Sequence, residues 1–306
     1  MIKIFVELHL IQNFGPSCLN RDDTNTPKDC QFGGYRRARI SSQCFKRAMR
    51  EYLKSESSKL NGTLGVRTRM LPKKIIEILV EKGKNEDTAA DAVKKVLKKI
   101  GFETDKKKEK TDVLLFLNND LPEKIAKLML DNWAAFSGKK ISKDDEKKLN
   151  PIKDEIKNEL NPDIALFGRM VASKTDLKVD AACYVAHAIS THKVDMEMDF
   201  YTALDDLQGQ TESGAGMMGI TLYNSSCFYR YLVLDFEQLV DNLQQDKEFA
   251  VSVLKEYIKA SINAIPTGKQ TSMAAFSKPD FIMATIRSGQ PWSLVNAFTR
   301  PVKVGL

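Results

Sequence analysis

Positive charge is concentrated near the start of the 306-residue sequence. Residues 20–50 contain eight Lys and Arg against three Asp, so this tenth of the chain supplies five of the seven net positive charges. Arg37 and Arg39 lie two residues apart on a segment that would be extended, which points both side chains to one face. Cations gathered in this way can bind phosphates, and the pI near 9.0 favours an anionic partner, nucleic acid first and a membrane surface second.

A helix predicted after this segment would add backbone donors to the cations. Phe45, Met49 and Tyr52 follow helical spacing, and Ser41 or Ser42 can cap the start of the helix. Unpaired N–H groups and the positive end of the helix dipole would meet hydroxyls and cations there, which is the chemistry of a phosphate site. The residues that would share this site are Ser41, Ser42, Gln43, Lys46, Arg47 and Arg50. A simpler alternative is that the cations only keep an exposed loop and helix solvated.

Three carboxylates in the same region allow a different chemistry. Asp22, Asp23 and Asp29 follow the first predicted strand, and clustered carboxylates could bind Mg²⁺ for phosphodiester hydrolysis. The same acids could instead pair with Arg21 and Lys28, or cap turns of the loop. These residues are therefore compatible with an RNA-cleaving enzyme as well as with an RNA-binding protein.

Periodicity predicts the elements that would position these residues. Apolar residues recur at every second position from Ile2 to Leu10, with Lys3, Glu7 and His9 between them, which is typical of a half-buried strand in an antiparallel or mixed sheet. Residues 12–36 are rich in Asn, Asp, Thr, Pro and Gly and are predicted to form a long loop. The Gly33-Gly34 pair in this loop would allow the chain to approach a polyanion closely.

Three further elements are predicted downstream. Residues 180–192 have the pattern of a short amphipathic helix. Residues 225–236 are β-branched and aromatic, which predicts a strand. Four glycines within residues 209–219, ahead of that strand, predict the tip of a long, flexible hairpin.

The middle of the sequence differs in composition from both ends. Residues 73–159 contain 21 Lys, 18 Asp and Glu, and no Arg. Helical periods recur throughout this stretch, and its charges have the spacing of a solvated helix face with i,i+4 pairs. We therefore expect a helical insertion here.

Several other classes of protein and site are disfavoured. No apolar run approaches the roughly 18 residues that a membrane-spanning helix needs, and residues 1–13 do not suit a signal peptide. The five cysteines are odd in number and include no C-x-x-C pair, which predicts free thiols in a cytoplasmic protein. His187 and His192 lie five apart and would make a poor metal pair. We expect neither a metal nor a cofactor.

Residues 16–50 read PSCLNRDDTNTPKDCQFGGYRRARISSQCFKRAMR. This stretch resembles the N-terminal signature of the CasC family, the repeated backbone subunit of the type I-E CRISPR surveillance complex called Cascade. The resemblance continues in order along the chain, whereas residues 55–160 match poorly, as an insertion would. The further matching segments are DIALFGRM (163–170), DAACYVAHAISTHKVD (180–195), FYTALDDLQ (200–208), FYRY (228–231) and NAF (296–298).

The resemblance implies an α+β fold with a ferredoxin/RRM-like antiparallel palm, a helical fingers insertion and a β-hairpin thumb. The palm would comprise residues 1–60, 161–195 and 228–306, the fingers residues 61–160, and the thumb residues 196–227. Members of the family bind along a guide RNA, grip its backbone through the palm, and flip bases out with the thumb of the neighbouring copy. The implied protein is not an enzyme. Its implied partners are the CRISPR guide RNA, target DNA through the guide, copies of itself and other Cascade subunits, with no membrane.

The resemblance also implies roles for particular residues. Met170 would be an apolar wedge between bases, although a buried core methionine is the alternative. Met217 and Met218 would contact nucleic acid or the next copy at the hairpin. Lys269, after the motif IPTG, would be a further RNA contact. Together with the cations considered above, the predicted RNA contacts are Lys28, Arg37, Arg39, Ser41, Gln43, Lys46, Arg47, Arg50, Arg169, Met170 and Lys269.

A third alternative is a monomeric RNA-binding domain that uses a strand as a stacking surface. Phe228, Tyr229 and Tyr231 could stack bases as aromatic residues do in an RRM. Since successive side chains of a strand point to opposite faces, about half of these aromatics would face the core. Assembly that depends on RNA length would distinguish a backbone subunit from such a monomer.

Overall fold

The computed structural model describes residues 3–57, 60, 64–105, 109–157, 161–169, 178–203 and 217–303. The strands are β1 (Ile4–Ser17), β2 (Asp29–Phe32), β3 (Tyr35–Ile40), β4 (Val66–Thr68), β5 (Leu115–Leu117), β6 (Cys183–Val185), β7 (Ala188–Ser190), β8 (Glu197–Ala203), β9 (Met217–Asp235) and β10 (Phe281–Ser288). The α-helices are α1 (Ser42–Glu56), α2 (Leu71–Glu81), α3 (Glu86–Ile100), α4 (Leu121–Asp131), α5 (Trp133–Ser137), α6 (Lys143–Lys147), α7 (Asn150–Lys157), α8 (Pro162–Phe167), α9 (Phe236–Asn242), α10 (Lys247–Asn263) and α11 (Gln270–Met273). A short 3-10 helix spans Val295–Phe298.

The chain divides into two compact units, and the first contains the basic segment. This unit comprises Met1–Ser57, Cys183–Glu237 and Val251–Leu306. Its strands form one sheet in the order β10-β1-β9-β7-β3-β2, and β6 and β8 also pair with β9. Every pairing in the sheet is antiparallel. The α+β class and the antiparallel sheet are therefore confirmed.

Strand β1 is buried on both faces, whereas its alternating pattern predicts burial on one. Leu8 and Leu10 lie on the apolar face as expected, but Glu7 and His9 on the other face are also buried. The reason is distant in sequence. β1 pairs with β9 on one side and with β10 on the other, and the segment after β10 covers the face that carries Glu7.

Glu7 and His9 are satisfied by a buried polar network. The Glu7 carboxylate accepts hydrogen bonds from the Tyr231 hydroxyl (2.6 Å), Arg287 Nε (2.7 Å) and the Trp292 N–H (3.0 Å). Burial alone raises the pKa of Glu7, but these bonds outweigh it and leave the pKa below its ordinary value. His9 Nδ1 lies 2.8 Å from the Tyr229 hydroxyl, and burial lowers the pKa of this imidazole.

The opposite face of the sheet carries the apolar core of the first unit. Phe14, Ile40, Phe45 and Phe228 belong to this core, which places α1 against the sheet through Phe45. Arg230 is fully enclosed there and lies over the Phe45 ring, 4.2 Å from its centroid. The alternating apolar residues of β1 and the apolar stripe of α1 thus meet in one layer.

The second unit comprises Ser58–Ala182 and Gln238–Ala250 and contains the predicted helical insertion. Its core is formed largely by α2, α3 and α4, with Ile75, Val93, Ile125 and Met129 fully enclosed. Strands β4 and β5 form a separate two-stranded sheet. The predicted helices of this stretch are present, and many of its lysines form ion pairs such as Lys99–Glu146 (2.7 Å). The division of the chain into palm, fingers and thumb, with the bounds given above, stays a prediction.

Two predicted elements are wrong. Residues 12–36 are not one long loop, because β1 continues to Ser17 and β2 begins at Asp29. Residues 180–192 are not a helix, because they form β6 and β7. Both of these short strands pair with β9, for example Cys183 with Leu234 and Ile189 with Tyr229. A neighbouring strand that needs hydrogen-bonding partners outweighs the local helical pattern.

Candidate nucleic-acid interface

The start of α1 is fixed to the connection between β1 and β2. The Ser41 hydroxyl accepts a hydrogen bond from the Cys44 N–H (3.3 Å), so Ser41 is the N-cap of the helix, as predicted. The Ser41 N–H donates to Asn20 Oδ1 (2.8 Å). Since Ser41 is buried and its hydroxyl is engaged in the cap, its role is to orient the first turn.

A groove of about 810 Å³ opens at this helix start. Gln43 and Arg47, four residues apart on α1, are exposed and line one wall, while Arg21 lies on another. Residues 266–268 close the remaining side. The groove therefore combines the N-terminal turn of a 15-residue helix with two exposed arginines, and the carboxylates Asp22 and Glu51 also line it. An anion would bind at the helix turn and the arginines.

Gly268 packs closely against the backbone of Leu19, which also lines this groove. A Cβ at residue 268 would overlap the carbonyl oxygen of Leu19, so only glycine allows the segment to approach the β1–β2 connection so closely. The next residue, Lys269, has a φ of 53°, a left-handed conformation that costs a non-glycine residue energy. The motif IPTG is thus explained by packing on the backbone of Leu19.

Lys28 and Arg39 form a second group of cations beside the groove. Arg39 Nη1 lies 3.1 Å from His187 Nδ1, and Arg39 Nε donates to the Asp29 carbonyl (3.1 Å). Burial, and then the charges of Arg39 and Lys28, lower the pKa of His187, so this ring is neutral at neutral pH. The charges of Lys28 and Arg47 both lower the pKa of the Cys44 thiol, although burial is the larger effect and raises that pKa to about 11. One cation of each group therefore lies near Cys44, and the two groups are close together.

The family model of CT1975-like proteins matches residues 6–306. The chain belongs to the CT1975-like family. It is 30% identical to a chain of a solved structure described as "CRISPR RNA-guided surveillance complex, pre-nicking", with a TM-score of 0.85 over 98% of this chain and 83% of that one. A chain described as "CRISPR RNA-guided surveillance complex" is 23% identical, with a TM-score of 0.59 over 98% and 76%, and shows the fold alone. No curated protein matches this sequence.

Three arginines predicted to contact RNA are buried in this CT1975-like chain, which corrects their assignment. Arg37 is fully enclosed, and its Nη atoms donate to the carbonyls of Ser190 (3.0 Å) and Phe298 (2.8 Å). Arg169 is buried in the second unit and donates to the Ile156 carbonyl (3.1 Å), and Arg50 is also buried. The guanidinium groups of Arg37 and Arg169 therefore donate to backbone carbonyls within the fold.

The other predicted contacts have different surroundings. Lys46 is half-buried, Lys269 lines a second groove beside Gly268, and Met217 and Met218 are exposed on β9. Met170 lies outside the described residues. Asn20 and Arg21 were missed as parts of the site, and the only sequence signal for them is their position inside the basic segment.

Asp22 and Asp29, two of the three carboxylates predicted to bind Mg²⁺, have partners within this chain. Asp22 Oδ1 accepts hydrogen bonds from the Thr24 N–H (2.9 Å), the Thr24 hydroxyl (2.7 Å) and the Thr26 N–H (2.9 Å), which lower the pKa of Asp22. Asp29 forms an ion pair with Arg36. Among the described residues, no group of three or more His, Cys, Asp or Glu side chains is arranged to hold a metal ion.

Two of the three aromatic residues of the predicted stacking surface, Phe228 and Tyr229, are covered, whereas Tyr231 is partly exposed. Phe228 is in the core, and Tyr229 is 4% exposed because the Phe298 ring lies against it at 5.4 Å between centroids. The Leu294 N–H also donates to the Tyr229 hydroxyl (2.9 Å). Phe228 and Tyr229 therefore offer no open ring to a base.

Among the helices of the described residues, none combines the length and apolar character that crossing a bilayer needs.

Proposed function

We propose that this chain is a guide-RNA-binding backbone subunit of a CRISPR surveillance complex. In this proposal it binds the phosphate backbone of the guide in the groove at the start of α1 and presents the guide for pairing with target DNA. The observation that carries the proposal is the groove itself, in which the first turn of α1, Gln43, Arg47 and Arg21 converge. The structure that is 30% identical to this chain is described as an RNA-guided complex, which supports the choice of a guide RNA as the anion.

Recognition in this proposal is independent of the guide sequence. Helix N-terminal N–H groups, arginines and lysines bind phosphate oxygens, which are the same in every nucleotide. A subunit that must accept any guide needs this chemistry. Arg21 and Arg47 line the groove, and Lys28 and Lys46 are the further cations that we assign to this recognition, since Arg37, Arg50 and Arg169 are enclosed in the fold.

We propose further that the subunit belongs to the type I-E class and does not cleave RNA. The hydrogen bonds that Asp22 accepts from Thr24 and Thr26 support a structural role for this carboxylate. Cleavage by Asp22, Asp23 and Asp29 remains the alternative, and incubating labelled RNA with the protein in magnesium or in EDTA tests it. Magnesium-dependent products that disappear in an Asp22→Asn variant would contradict the proposal.

Assembly with copies of itself and with other subunits completes the proposed role. One face of the hairpin β8–β9 is apolar and open to solvent, with Phe200 62% and Ile220 65% exposed as direct cross-strand neighbours. Met198 and Met218 extend the same face and are exposed at 72% and 67%. A contiguous apolar surface of this kind marks a protein interaction site more often than a free surface.

The experiment that tests the proposal removes two cations from α1. We expect Lys46→Ala with Arg47→Ala to weaken binding of single-stranded RNA of every sequence. The slope of log affinity against log salt should become shallower by about one unit for each phosphate that the variant no longer neutralises. The measurement is fluorescence anisotropy of labelled RNA over a salt series.

A matched control removes the same charge from the second unit. Lys73 and Lys74 are exposed on α2, and the variant with both changed to Ala loses two positive charges far from α1 in sequence. We expect its salt slope to equal that of the wild type. Equal slopes for the α1 variant and the wild type would remove Lys46 and Arg47 from the interface.

A further inference from the structure

His187 lies in the short connection between β6 and β7, within the first unit, and its side chain is exposed. It stands beside the second group of cations, because Arg39 Nη1 lies 3.1 Å from its Nδ1. Arg39 Nε also donates to the Asp29 carbonyl (3.1 Å), so the guanidinium is bonded through two of its nitrogens. No pattern in the sequence marks the contact with His187, since 148 positions separate the two side chains.

The contact with Arg39 fixes where neutral His187 carries its proton. A guanidinium has five N–H donors and no acceptor, so the hydrogen between the two side chains belongs to Arg39 and Nδ1 accepts it. The ring proton of neutral His187 is therefore on Nε2. Among the residues that the structure describes, Nε2 has no hydrogen-bond partner, which leaves an N–H donor available beside the cations.

The charged groups that act on this ring are both cations, namely Arg39 from β3 and Lys28 from the connection between β1 and β2. The carboxylate of Asp29, next to Lys28 in the sequence, is paired with Arg36. Burial and then the two cations hold the pKa of His187 below its ordinary value of 6.5. An anion that binds these cations offsets their repulsion and adds an attraction of its own, and both changes favour the charged imidazolium.

We propose that His187 is a further phosphate contact of the interface, and that its ring takes up a proton when the guide-RNA backbone binds beside Arg39 and Lys28. The proton comes from solvent and enters at Nδ1, where it forms the only covalent bond that changes. Nδ1 then no longer accepts from Arg39, so Arg39 Nη1 is released from the ring and donates to a phosphate oxygen. His187 Nε2–H donates to the same phosphate.

This inference rests on the proposed function, because the guide backbone is the anion that draws the proton in. Binding takes up at most one proton at His187 wherever the pH lies between the pKa of the free ring and the higher pKa of the bound ring. Affinity for RNA therefore rises as pH falls through that window, by at most about tenfold per pH unit. The effect is the same for every guide, since phosphate contacts carry no sequence information.

The test measures the affinity of the full chain for labelled oligouridine by fluorescence anisotropy, at constant salt, from about pH 5 to about pH 8. Uracil has no basic ring nitrogen, so the RNA itself takes up no proton. The wild type should bind more tightly as pH falls. His187→Gln should bind like the wild type at the highest pH and gain nothing at lower pH, because an amide accepts from Arg39 but takes up no proton.

Two further variants assign the effect to this ring. His187→Lys carries a permanent charge and should bind at the highest pH about as tightly as the wild type does at the lowest. His192→Gln is the matched control, since His192 Nδ1 lies 2.7 Å from the Lys193 carbonyl and its Nε2 accepts from the Cys227 N–H (3.2 Å). It should keep the pH dependence of the wild type. Equal losses of that dependence in His192→Gln and His187→Gln would overturn the proposal.

Calorimetry separates this inference from the proposed function. Titrating oligouridine into the chain in buffers of different ionisation enthalpy gives the number of protons taken up per bound phosphate site. Uptake in the wild type that disappears in His187→Gln supports the proposal. RNA binding without proton uptake in the wild type overturns the role of His187 and leaves the phosphate groove standing. If the wild type binds no RNA at any pH, the proposed function is wrong, and the role of His187 with it.

Discussion

Arg37 illustrates how a cation within a basic segment can serve the fold. Its strand neighbour Arg36 is exposed and paired with Asp29, whereas Arg37 is enclosed and donates to carbonyls of residues more than 150 positions away. The sequence contains no sign of this difference, because the residues that cover Arg37 come from the end of the chain. Positive charge predicts a region for the interface, which stays a prediction, and it does not distinguish the cation that the fold encloses.

We expect Arg37→Met to lower the free energy of unfolding by about 1–3 kcal/mol, because the carbonyls of Ser190 and Phe298 lose their donor. Urea denaturation followed by circular dichroism measures the change. Arg36→Ala is the matched control and should cost at most about 1 kcal/mol, the usual worth of an exposed ion pair. A changed salt slope of RNA binding in a folded Arg37→Met protein would return Arg37 to the interface.

His9 makes stability depend on pH. Burial lowers the pKa of His9 in the folded state below its ordinary value of 6.5. The unfolded chain therefore binds the proton more tightly, and stability falls as pH drops from above 6.5 toward the folded pKa, by at most about 1.4 kcal/mol per pH unit for one proton. Neutral His9 thus contributes its full stability only above that window.

We expect His9→Gln to reduce this loss, measured by thermal unfolding at intervals of about one pH unit from about pH 5 to about pH 8. His187 also has a lowered pKa and affects stability in the same direction, so the result lies in the difference between variant and wild type. The His187→Gln variant serves as the comparison. An identical pH dependence of wild type and His9→Gln would show that His9 does not carry the effect.

At the scale of elements, periodicity predicted the helix whose contacts are local in sequence. It failed for the strands that form only by pairing with a distant segment. The stripe of Phe45 and Met49 and the cap at Ser41 predict the start of α1 and its buried face, because helix contacts lie within a few residues. Residues 183–190 became strands because β9 offers them hydrogen-bonding partners some 40 residues downstream. Likewise, the polar face of β1 is buried by a segment that no local pattern announces.

The turn between β2 and β3 offers an element-scale prediction. Gly33 and Gly34 both have positive φ, 61° and 81°, so the Gly-Gly pair forms a tight turn. Gly33 closely approaches this chain's own Thr299, whereas the sequence predicts an approach to a polyanion. A Cβ at Gly33 would overlap the Thr299 carbonyl oxygen, while a Cβ at Gly34 would meet open space. The two glycines thus differ only in that contact.

We expect Gly34→Ala to lower the free energy of unfolding by about 1 kcal/mol, from backbone strain alone. Gly33→Ala should cost about 1–3 kcal/mol more, since the segment around Thr299 must move. Differential scanning calorimetry of both variants gives the comparison. Equal melting temperatures would mean that the Thr299 contact does not hold the turn.

At the scale of the whole molecule, length-dependent assembly is the property that the proposed function requires. We expect size-exclusion chromatography with light scattering to show protomers added in steps as single-stranded RNA lengthens. Phe200→Asp with Ile220→Asp places charge on the apolar hairpin face and should abolish the steps. The same variant should still bind a hexanucleotide.

A matched variant tests whether added charge alone disrupts assembly. Tyr184 on β6 is exposed at 54%, away from the hairpin face, and Tyr184→Asp should assemble like the wild type. Stepwise growth that persists in the Phe200 and Ile220 double variant would exclude this hairpin face as the contact between copies. A single protomer on RNA of every length would contradict the backbone role itself.

The pairing of β1 has a consequence for synthesis on the ribosome. β1 emerges first, yet both of its partners, β9 and β10, lie more than 200 residues later. At roughly 5–20 residues translated per second, an apolar 14-residue strand waits about 10–40 seconds for its neighbours. During that interval the strand has no pairing partner, so its unpaired edges are exposed to aggregation until β9 and β10 have been synthesised.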